Sequence, residues 1–225
     1  MSRSAAQSDR EMALDLCPIL RPVTAELDIY ETLLRAWQKK INLVSAQTLP
    51  SLWLRHFADS AQIAASFPDI LCWADLGSGG GFPGMVTALL LKGREGAVVH
   101  LIESDQRKAA FLRAVSRETG APAIVHVGRI EQELPALVGK IEGVSARALA
   151  PLPQLVAWSQ EVLWKGGIGA FLKGEDWRNE LTSLEAEGSF QFRTIASRTN
   201  SAARLIAVAK EFRADRQFSG QVSGD

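Results

Sequence analysis

A glycine-dense stretch constrains the fold of this chain more than any other feature. Leu71–Ala74 predicts a buried strand and Met85–Leu91 predicts a helix, and the segment between them reads Asp75-Leu-Gly-Ser-Gly-Gly-Gly-Phe-Pro-Gly84. A strand, a tight glycine turn and a helix form the first turn of a doubly wound α/β domain, where nucleotide-type ligands bind. Glycine reaches positive φ without penalty and lets a ligand approach the backbone closely. We therefore predict an α/β domain with a ligand site at this loop.

Strand and helix patterns alternate after the loop. Strands are predicted at Leu71–Leu76, Val98–Glu103, Ala123–Val127, Gly143–Ala146 and Ile168–Lys173. Helices are predicted at Pro83–Lys92, Asp105–Thr119 (closed by Gly120), Ile130–Val138, Pro153–Trp164 and Asp176–Glu187. This order indicates a mostly parallel sheet with right-handed crossovers. Two final strands, Phe190–Ser197 and Arg204–Ala209, are joined by a turn too short for a parallel crossover and must pair antiparallel. The layout resembles the class I S-adenosylmethionine-dependent methyltransferase (Rossmann-like) fold, with seven strands and an antiparallel last strand.

The first third of the chain is predicted to be a helical extension. From Thr24, apolar residues recur at steps of three and four, at Leu27, Tyr30, Leu34, Trp37 and Ile41. Pro50-Ser51 predicts a second helix start, with Ser51 as N-cap. Residues 1–20 lack periodicity and are expected to be flexible, as are residues 213–225. The expected organisation is a helical region at 21–68 packed on an α/β domain at 69–212.

Composition limits the classes of function. Lys+Arg and Asp+Glu are balanced at 25 each, which argues against a surface coated in positive charge. Cys17 and Cys72 are far apart and match no ligand spacing, so we expect no metal site and no disulfide framework. The N-terminus lacks the apolar core of a signal peptide, and no apolar run is long enough to span a bilayer. We expect a cytoplasmic monomer that is not bound to a membrane.

Two registers of the glycine loop favour different cofactors. Gly79-x-Gly81-x-x-Gly84, with Glu103 further on, satisfies the dinucleotide fingerprint, whereas Gly77-x-Gly79-x-Gly81 after Asp75 is similar to the first motif of methyltransferases. Glu103 does not discriminate, because both cofactors carry a ribose. The Asp75 carboxylate would repel a pyrophosphate and suits a cationic cofactor, and Pro83 removes an N–H donor that a phosphate would need. An NAD-dependent oxidoreductase and a non-catalytic RNA-binding module stay as alternatives.

Motifs across nearly all of residues 27 to 210 resemble those of one family, the 16S rRNA guanine-N7 methyltransferases, also called glucose-inhibited division protein B. The motifs are Trp37–Ser45, Arg55–Ser60, the Asp75–Gly84 loop, Glu103–Arg113, Gly128–Glu131, Ala146–Leu152 and Leu172–Gly174. The resemblance implies methyl transfer from S-adenosylmethionine to N7 of a guanine, guanine 527 of 16S rRNA. It leaves open whether the substrate is naked RNA or the small ribosomal subunit.

The resemblance also implies roles for individual residues. Gly77 and Phe82 would contact the cofactor from the loop, Ile130 and Glu131 would flank its adenine, and Arg147 would face the active cleft. The expected cofactor site consists of these five residues together with Asp75, Gly79 and Glu103. Arg147 is also the catalytic candidate, as a group that positions substrate or cofactor.

The chemistry implied for this family needs no general base. Guanine N7 has an in-plane lone pair and no proton at neutral pH, so methyl transfer needs alignment rather than proton removal or a metal. Arg55, His56 and Lys173 are the RNA-facing candidates. For Arg55, an i,i+4 surface ion pair with Asp59 is an equally good interpretation. His100 and His126 lie within strand patterns and are expected to be structural.

Overall fold

The computed structural model describes residues 5 to 212, and these residues contain seven strands. The strands are β1 (Cys72–Leu76), β2 (Val98–Glu103), β3 (Ala123–Val127), β4 (Gly143–Arg147), β5 (Ile168–Lys173), β6 (Gln191–Ala196) and β7 (Arg204–Ala209). They form one sheet in the order β3-β2-β1-β4-β5-β7-β6. Strands β1 to β5 pair in parallel, and β7 pairs antiparallel with both β5 and β6. The predicted class I methyltransferase fold is thereby confirmed, including its antiparallel last strand.

Eight α-helices surround the sheet in the described part of the chain. They are α1 (Ala5–Leu16), α2 (Thr24–Gln38), α3 (Asp59–Ser66), α4 (Gly84–Leu91), α5 (Gln106–Thr119), α6 (Ile130–Glu133), α7 (Leu152–Trp164) and α8 (Trp177–Glu187). Local signals account for the sharpest boundaries. Asp105 accepts hydrogen bonds from two N–H groups at the start of α5, and Gly120 ends that helix in the left-handed conformation at φ 66°, as predicted.

Residues 5 to 20 differ from the expectation of a flexible N-terminus. Helix α1 and the 3₁₀ helix Pro18–Val23 follow one another, and Ala13, Cys17 and Leu20 are buried. The periodicity of α1 is blurred because it also exposes Met12 and Leu16, so apolar residues lie on both of its faces. Residues 1 to 4 and 213 to 225, which were also expected to be flexible, lie outside the described residues.

The helix predicted to begin at Ser51 has a different start. Leu49–Ser51 is a 3₁₀ helix, and a π-helix, Trp53–Ala58, then leads directly into α3. The prediction of Ser51 as N-cap is therefore wrong. The reason is that a carboxylate from elsewhere in the chain accepts the first N–H groups of the π-helix. π-Helical turns are rare and often occur at functional sites.

One hydrophobic cluster joins the N-terminal helices to the sheet. Leu27, Tyr30 and Leu34 of α2 are fully buried in the same cluster as Phe111 of α5. Trp37 packs against this cluster with its ring centroid 5.8 Å from that of Phe111, so its predicted core role is confirmed. The helical region thus shares its core with the α/β part of the chain and closes over one side of the glycine loop.

Candidate active site

A cleft of about 930 Å³ opens at the carboxyl ends of the parallel strands, where open α/β sheets bind their ligands. It gathers residues from separate parts of the sequence. Ten of the eleven predicted site residues line it: Arg55, His56, Gly77, Gly79, Phe82, Glu103, Ile130, Glu131, Arg147 and Lys173. Asp75 does not line it.

The first two glycines of the loop expose bare backbone to the cleft. Gly77 and Gly79 are both left-handed, at φ 59° and 55°. A Cβ on Gly77 would overlap the Leu149 side chain, whereas a Cβ on Gly79 would find only the Gly77 carbonyl oxygen, at 3.7 Å. The backbone at Gly79 is therefore open to a ligand, as a cofactor cradle requires.

The next two glycines serve packing against the N-terminal helical region. The buried Tyr30 hydroxyl donates a hydrogen bond to the Gly80 carbonyl, and a Cβ on Gly81 would overlap that hydroxyl. A Cβ on Gly80 would lie 2.8 Å from the Leu43 carbonyl oxygen. The glycine density thus has two causes. The backbone at Gly79 is open to a ligand, whereas Gly77 packs closely against Leu149, and Gly80 and Gly81 pack closely against the segment after helix α2 and against that helix.

Asp75 lies beneath the loop, which corrects the expectation that it faces the cofactor. Its side chain is fully buried, Oδ1 accepts a hydrogen bond from the Ser145 hydroxyl at 2.7 Å, and Oδ2 has no hydrogen-bond partner. Gly84 packs directly on it and closes it off. Burial raises the pKa of Asp75 from 3.8 to about 6, because the hydrogen bond from Ser145 and the nearby positive charge of Arg147 offset only part of the desolvation.

Glu103 ties the glycine loop to β2. Its Oε2 accepts the N–H of Gly79 at 2.8 Å, and its Oε1 accepts the N–H of Asp105 at the same distance. Each carboxylate oxygen keeps a lone pair for a further donor. Glu103 can therefore hold the loop and still accept hydroxyl groups from the cleft.

Ile130 and Glu131, at the start of α6, also line the cleft. Ile130 is buried and apolar, and Glu131 Oε1 accepts a hydrogen bond from Trp158 Nε1 at 2.8 Å. Trp158 also lines the cleft. Sequence reasoning missed Trp158 because its partner lies 27 residues away and only the fold brings α6 and α7 together.

Arg147 is held by the π-helix and the residue after it. Its Nη1 donates to the Arg55 carbonyl at 2.9 Å and to Asp59 Oδ2 at 3.2 Å, and its Nη2 donates to His56 Nδ1 at 2.6 Å. The guanidinium also lies 5.1 Å from the centroid of the Phe82 ring. Asp59 thus pairs with Arg147 and not with Arg55, so the surface-pair interpretation is wrong.

The hydrogen bonds of His56 fix its tautomer. Arginine only donates, so His56 Nδ1 accepts, and Nε2 must carry the proton that it shares with Thr48 Oγ1 at 2.8 Å. Burial, with the nearby charges of Arg147 and Arg55, lowers the pKa of His56 from 6.5 to about 3. His56 is therefore neutral at physiological pH and has no free lone pair with which to act as a base.

The three RNA-facing candidates differ in what they offer. Arg55 is exposed at the cleft rim, but His56 is buried behind Arg147. Lys173 Nζ lies 2.7 Å from Glu180 Oε2 and donates to the Ala150 carbonyl at 3.0 Å. Lys173 therefore lines the cleft as a paired charge that supports the loop after β4, which corrects the expectation of a cation open to RNA.

The β6–β7 turn contributes a residue that the sequence did not reveal. Thr199 Oγ1 donates to Asp59 Oδ1 at 2.7 Å, so one carboxylate joins the turn to Arg147. Thr199 and its neighbour Asn200 line the cleft. The contact spans 140 positions of sequence, and no local pattern predicts it.

His100 and His126 lie away from the cleft, as expected of structural residues. Their Nδ1 and Nε2 atoms are 2.8 Å apart. In the range 5–212, no three or more His, Cys, Asp or Glu side chains are grouped to hold a metal ion. Over the same residues, no helix has the length and apolar character needed to cross a membrane.

Comparisons with known proteins give the context of this cleft. A family model described as rRNA small subunit methyltransferase G matches residues 23–205. The ribosomal RNA small subunit methyltransferase G of Bradyrhizobium sp. strain BTAi1 is 44% identical over 201 residues, which cover 89% of this chain and 90% of that protein. The protein of the same name from Methylorubrum extorquens strain PA1 is 46% identical over 197 residues, which cover 88% of this chain and 93% of that protein.

Two solved structures of low sequence identity resemble this one in fold. A precorrin-6y C5,15-methyltransferase from Geobacter metallireducens has a TM-score of 0.51 at 11% identity, over 75% of this chain and 90% of that one. A branched-chain polyamine synthase from Thermus thermophilus has a TM-score of 0.55 at 17% identity, and the match covers 87% of this chain and 67% of that one. The family match and the curated relatives confirm the resemblance drawn from the motifs, and the chain belongs to the rRNA small subunit methyltransferase G family.

Proposed function

We propose that this protein transfers the methyl group of S-adenosylmethionine to N7 of a guanine in small-subunit ribosomal RNA. Membership of the family gives the reaction class, methylation of small-subunit rRNA. One observation of the structure supports a cofactor and substrate site in this protein: Arg147 and the open backbone of Gly79 line the same cleft, at the carboxyl ends of the strands. The choice of guanine N7 as the acceptor follows from the motif resemblance.

The residues present fit S-adenosylmethionine. The bare backbone at Gly77 and Gly79 can approach its methionine part, Glu103 has acceptor capacity for the ribose hydroxyls, and Ile130 offers apolar surface to the adenine. Glu131 would lie beside the adenine. When bound, S-adenosylmethionine supplies a methyl group on a sulfonium, which guanine N7 can accept without loss of a proton. Asp75 supports this site from beneath, through the loop.

The substrate guanine is positioned by Arg147 in this account. Its guanidinium is fixed by three acceptors and by the Phe82 ring, so little conformational freedom is lost when it donates to guanine O6 or to a phosphate. The neutral state of His56 agrees with a reaction that needs no general base. Arg55, exposed at the rim, is suited to contact the RNA backbone.

The family assignment decides against the two alternatives considered from the sequence. An NAD-dependent oxidoreductase would need the glycine loop in its dinucleotide role, and a non-catalytic RNA-binding module would need no cofactor. The family is one of rRNA methyltransferases, which are neither oxidoreductases nor non-catalytic proteins. Because ribosomal RNA is the substrate class, we further propose that the protein acts in the cytoplasm, on the rRNA itself or on the assembled small subunit. We also propose that it acts as a monomer.

A transfer assay tests the proposal. Small ribosomal subunits and naked 16S rRNA, both lacking the modification, are incubated with methyl-labelled S-adenosylmethionine and either the wild-type protein or the Arg147→Lys variant. We expect the wild type to label the RNA and Arg147→Lys to label it much less. Added NAD should not lower the labelling by the wild type, because it should not compete with S-adenosylmethionine. Absence of label with the wild type on both substrates would refute the proposal. Comparison of the two substrates shows which form is used.

A further inference from the structure

A carboxylate from α1 completes the hydrogen bonding of the π-helix that grips Arg147. Asp9 Oδ2 accepts the N–H of Trp53 at 2.9 Å, and Asp9 Oδ1 accepts the N–H of Leu54 at 3.3 Å. The first N–H groups of a helix lack partners within it, and Leu52, the residue before the π-helix, has no side chain that could bond to them. The cap comes instead from 44 positions upstream in the sequence.

A second set of contacts fastens α1 beside the π-helix. The guanidinium of Arg10 lies 4.5 Å from the centroid of a Trp53 ring and forms hydrogen bonds of 2.7 and 3.0 Å to the two carboxylate oxygens of Asp28 in α2. Trp53 Nε1 donates to Glu31 Oε2 at 2.7 Å. The start of the π-helix is therefore clamped between α1 and α2.

The next residues of the same π-helix supply acceptors for Arg147. These are the Arg55 carbonyl and His56 Nδ1, followed by the Asp59 carboxylate at the start of α3. A rotation or shift of this continuous helical segment would move all three acceptors together. Helix α1, which caps it, lies outside the residues 23–205 that the family model matches.

We propose that Asp9 is a positioning residue for methyl transfer, which fixes the π-helix and through it the orientation of Arg147 in the cleft. The inference rests on the proposed function, in which Arg147 positions the substrate guanine. Asp9 itself does not line the cleft and touches neither cofactor nor RNA in this account. Its loss should therefore impair alignment and leave cofactor binding intact.

Three variants on α1 separate positioning from general stability. Asp9→Ala removes both acceptors and Asp9→Asn keeps one. Asp15→Ala is the matched control, because the contact of Asp15 within residues 5–212 is an exposed ion pair with Arg21 at 2.9 Å. We expect Asp9→Ala to lower kcat about tenfold, with Asp9→Asn intermediate and Asp15→Ala unchanged. The Kd for S-adenosylmethionine should stay within about twofold of the wild-type value in all three.

A double-mutant cycle tests the route of the effect. If Asp9 acts through Arg147, Asp9→Ala should cause little further loss of kcat in an Arg147→Lys background. The same fractional loss in both backgrounds would contradict the proposal, as would an unchanged kcat in both Asp9 variants. Should Asp9→Ala fail to fold, Asp9→Asn carries the same test.

A measurement that does not depend on methyl transfer tests the role of Asp9 separately from the proposed function. The three acceptors should slow rotation of the Arg147 guanidinium, which is visible in the NMR signals of a nitrogen-15-labelled side chain. We expect Asp9→Ala to speed this rotation and Asp15→Ala to leave it unchanged. A wild-type protein that transfers no methyl group would refute the proposed function, whereas unchanged rotation in Asp9→Ala would refute the role of Asp9.

Discussion

Arg147 Nη2 donates a hydrogen bond of 2.6 Å to Nδ1 of His56, and this contact joins the end of β4 to the π-helix across the cleft. It fixes both partners: the guanidinium gains a directional acceptor, and the imidazole is held neutral with its proton on Nε2. The contact explains why a histidine in the centre of a methyltransferase site is not a base. His56 serves as an acceptor that orients a cation.

Replacement of His56 tests this role. His56→Leu leaves an Arg147 N–H without its acceptor, whereas His56→Asn retains a short-range acceptor at that position. We expect His56→Leu to lower kcat by about a hundredfold, with little change in the Kd for S-adenosylmethionine, and His56→Asn to retain more activity. Steady-state kinetics on unmodified small subunits measure the difference. Equal loss in the two variants would show that the imidazole acts by more than accepting this bond.

The pH dependence of folding provides a second test of His56. Its pKa in the folded protein, about 3, lies below the ordinary value of 6.5, so the unfolded chain takes up a proton more readily. Its contribution to stability is therefore fully present above pH 6.5 and is lost as pH falls toward 3. The advantage of the wild type over His56→Asn in urea unfolding should shrink across that range. A difference that is constant between pH 7 and pH 4 would contradict the lowered pKa.

Asp75 should show the opposite dependence. Its pKa in the folded protein, about 6, lies above the ordinary 3.8, so its contribution to stability is greatest below pH 3.8 and is lost as pH rises through 6. Asp75→Asn should therefore gain stability relative to the wild type between pH 4 and pH 7, by about 2 to 3 kcal/mol. Urea unfolding of the cofactor-free protein measures this.

Asp105→Asn is the control for Asp75. The pKa of the half-buried Asp105 is lowered, because it accepts hydrogen bonds from the N–H groups of Arg107 and Lys108. The pH trend of Asp105→Asn should therefore have the opposite sign to that of Asp75→Asn. The same sign in both variants would contradict the assignment of the raised pKa to burial.

Two glycines of the loop should separate packing from cofactor binding. Gly81→Ala places a methyl group against the Tyr30 hydroxyl, whereas Gly79→Ala places it in open cleft space. Both positions are left-handed, so each substitution costs about 1 to 2 kcal/mol of backbone strain. We expect Gly81→Ala to lose stability beyond this, by about 1 to 3 kcal/mol more. Gly79→Ala should weaken binding of S-adenosylmethionine more than its loss of stability suggests. Thermal unfolding and equilibrium dialysis measure the two effects.

Local sequence signals predicted the sheet and the floor of the cleft. Ala123–Val127 and Arg204–Ala209 were predicted to the residue, because apolar runs bounded by turn residues are local signals. The glycine loop was located for the same reason. Its interpretation was incomplete, since Gly80 and Gly81 are required by Leu43 and Tyr30 and not by a ligand.

The contacts that orient the site could not be predicted from sequence. Thr199 reaches Asp59 across 140 positions, and Asp9 caps the π-helix from 44 positions away. Asp75 stands beside the loop in sequence but is closed off by Gly84 in the fold. Such contacts depend on the packing of distant elements, and periodicity and spacing carry no information about them.

The position of the transferred methyl group is the decisive test of methylation at guanine N7. After incubation of unmodified small subunits with labelled S-adenosylmethionine and this protein, the 16S rRNA is digested and the labelled nucleoside is identified by mass spectrometry. Strand cleavage specific for N7-methylguanosine locates it in the RNA. We expect a single labelled guanine, methylated at N7, whose initial rate of labelling falls with Arg147→Lys and with Asp9→Ala. Label on another base or another atom, or no label at all, would contradict it.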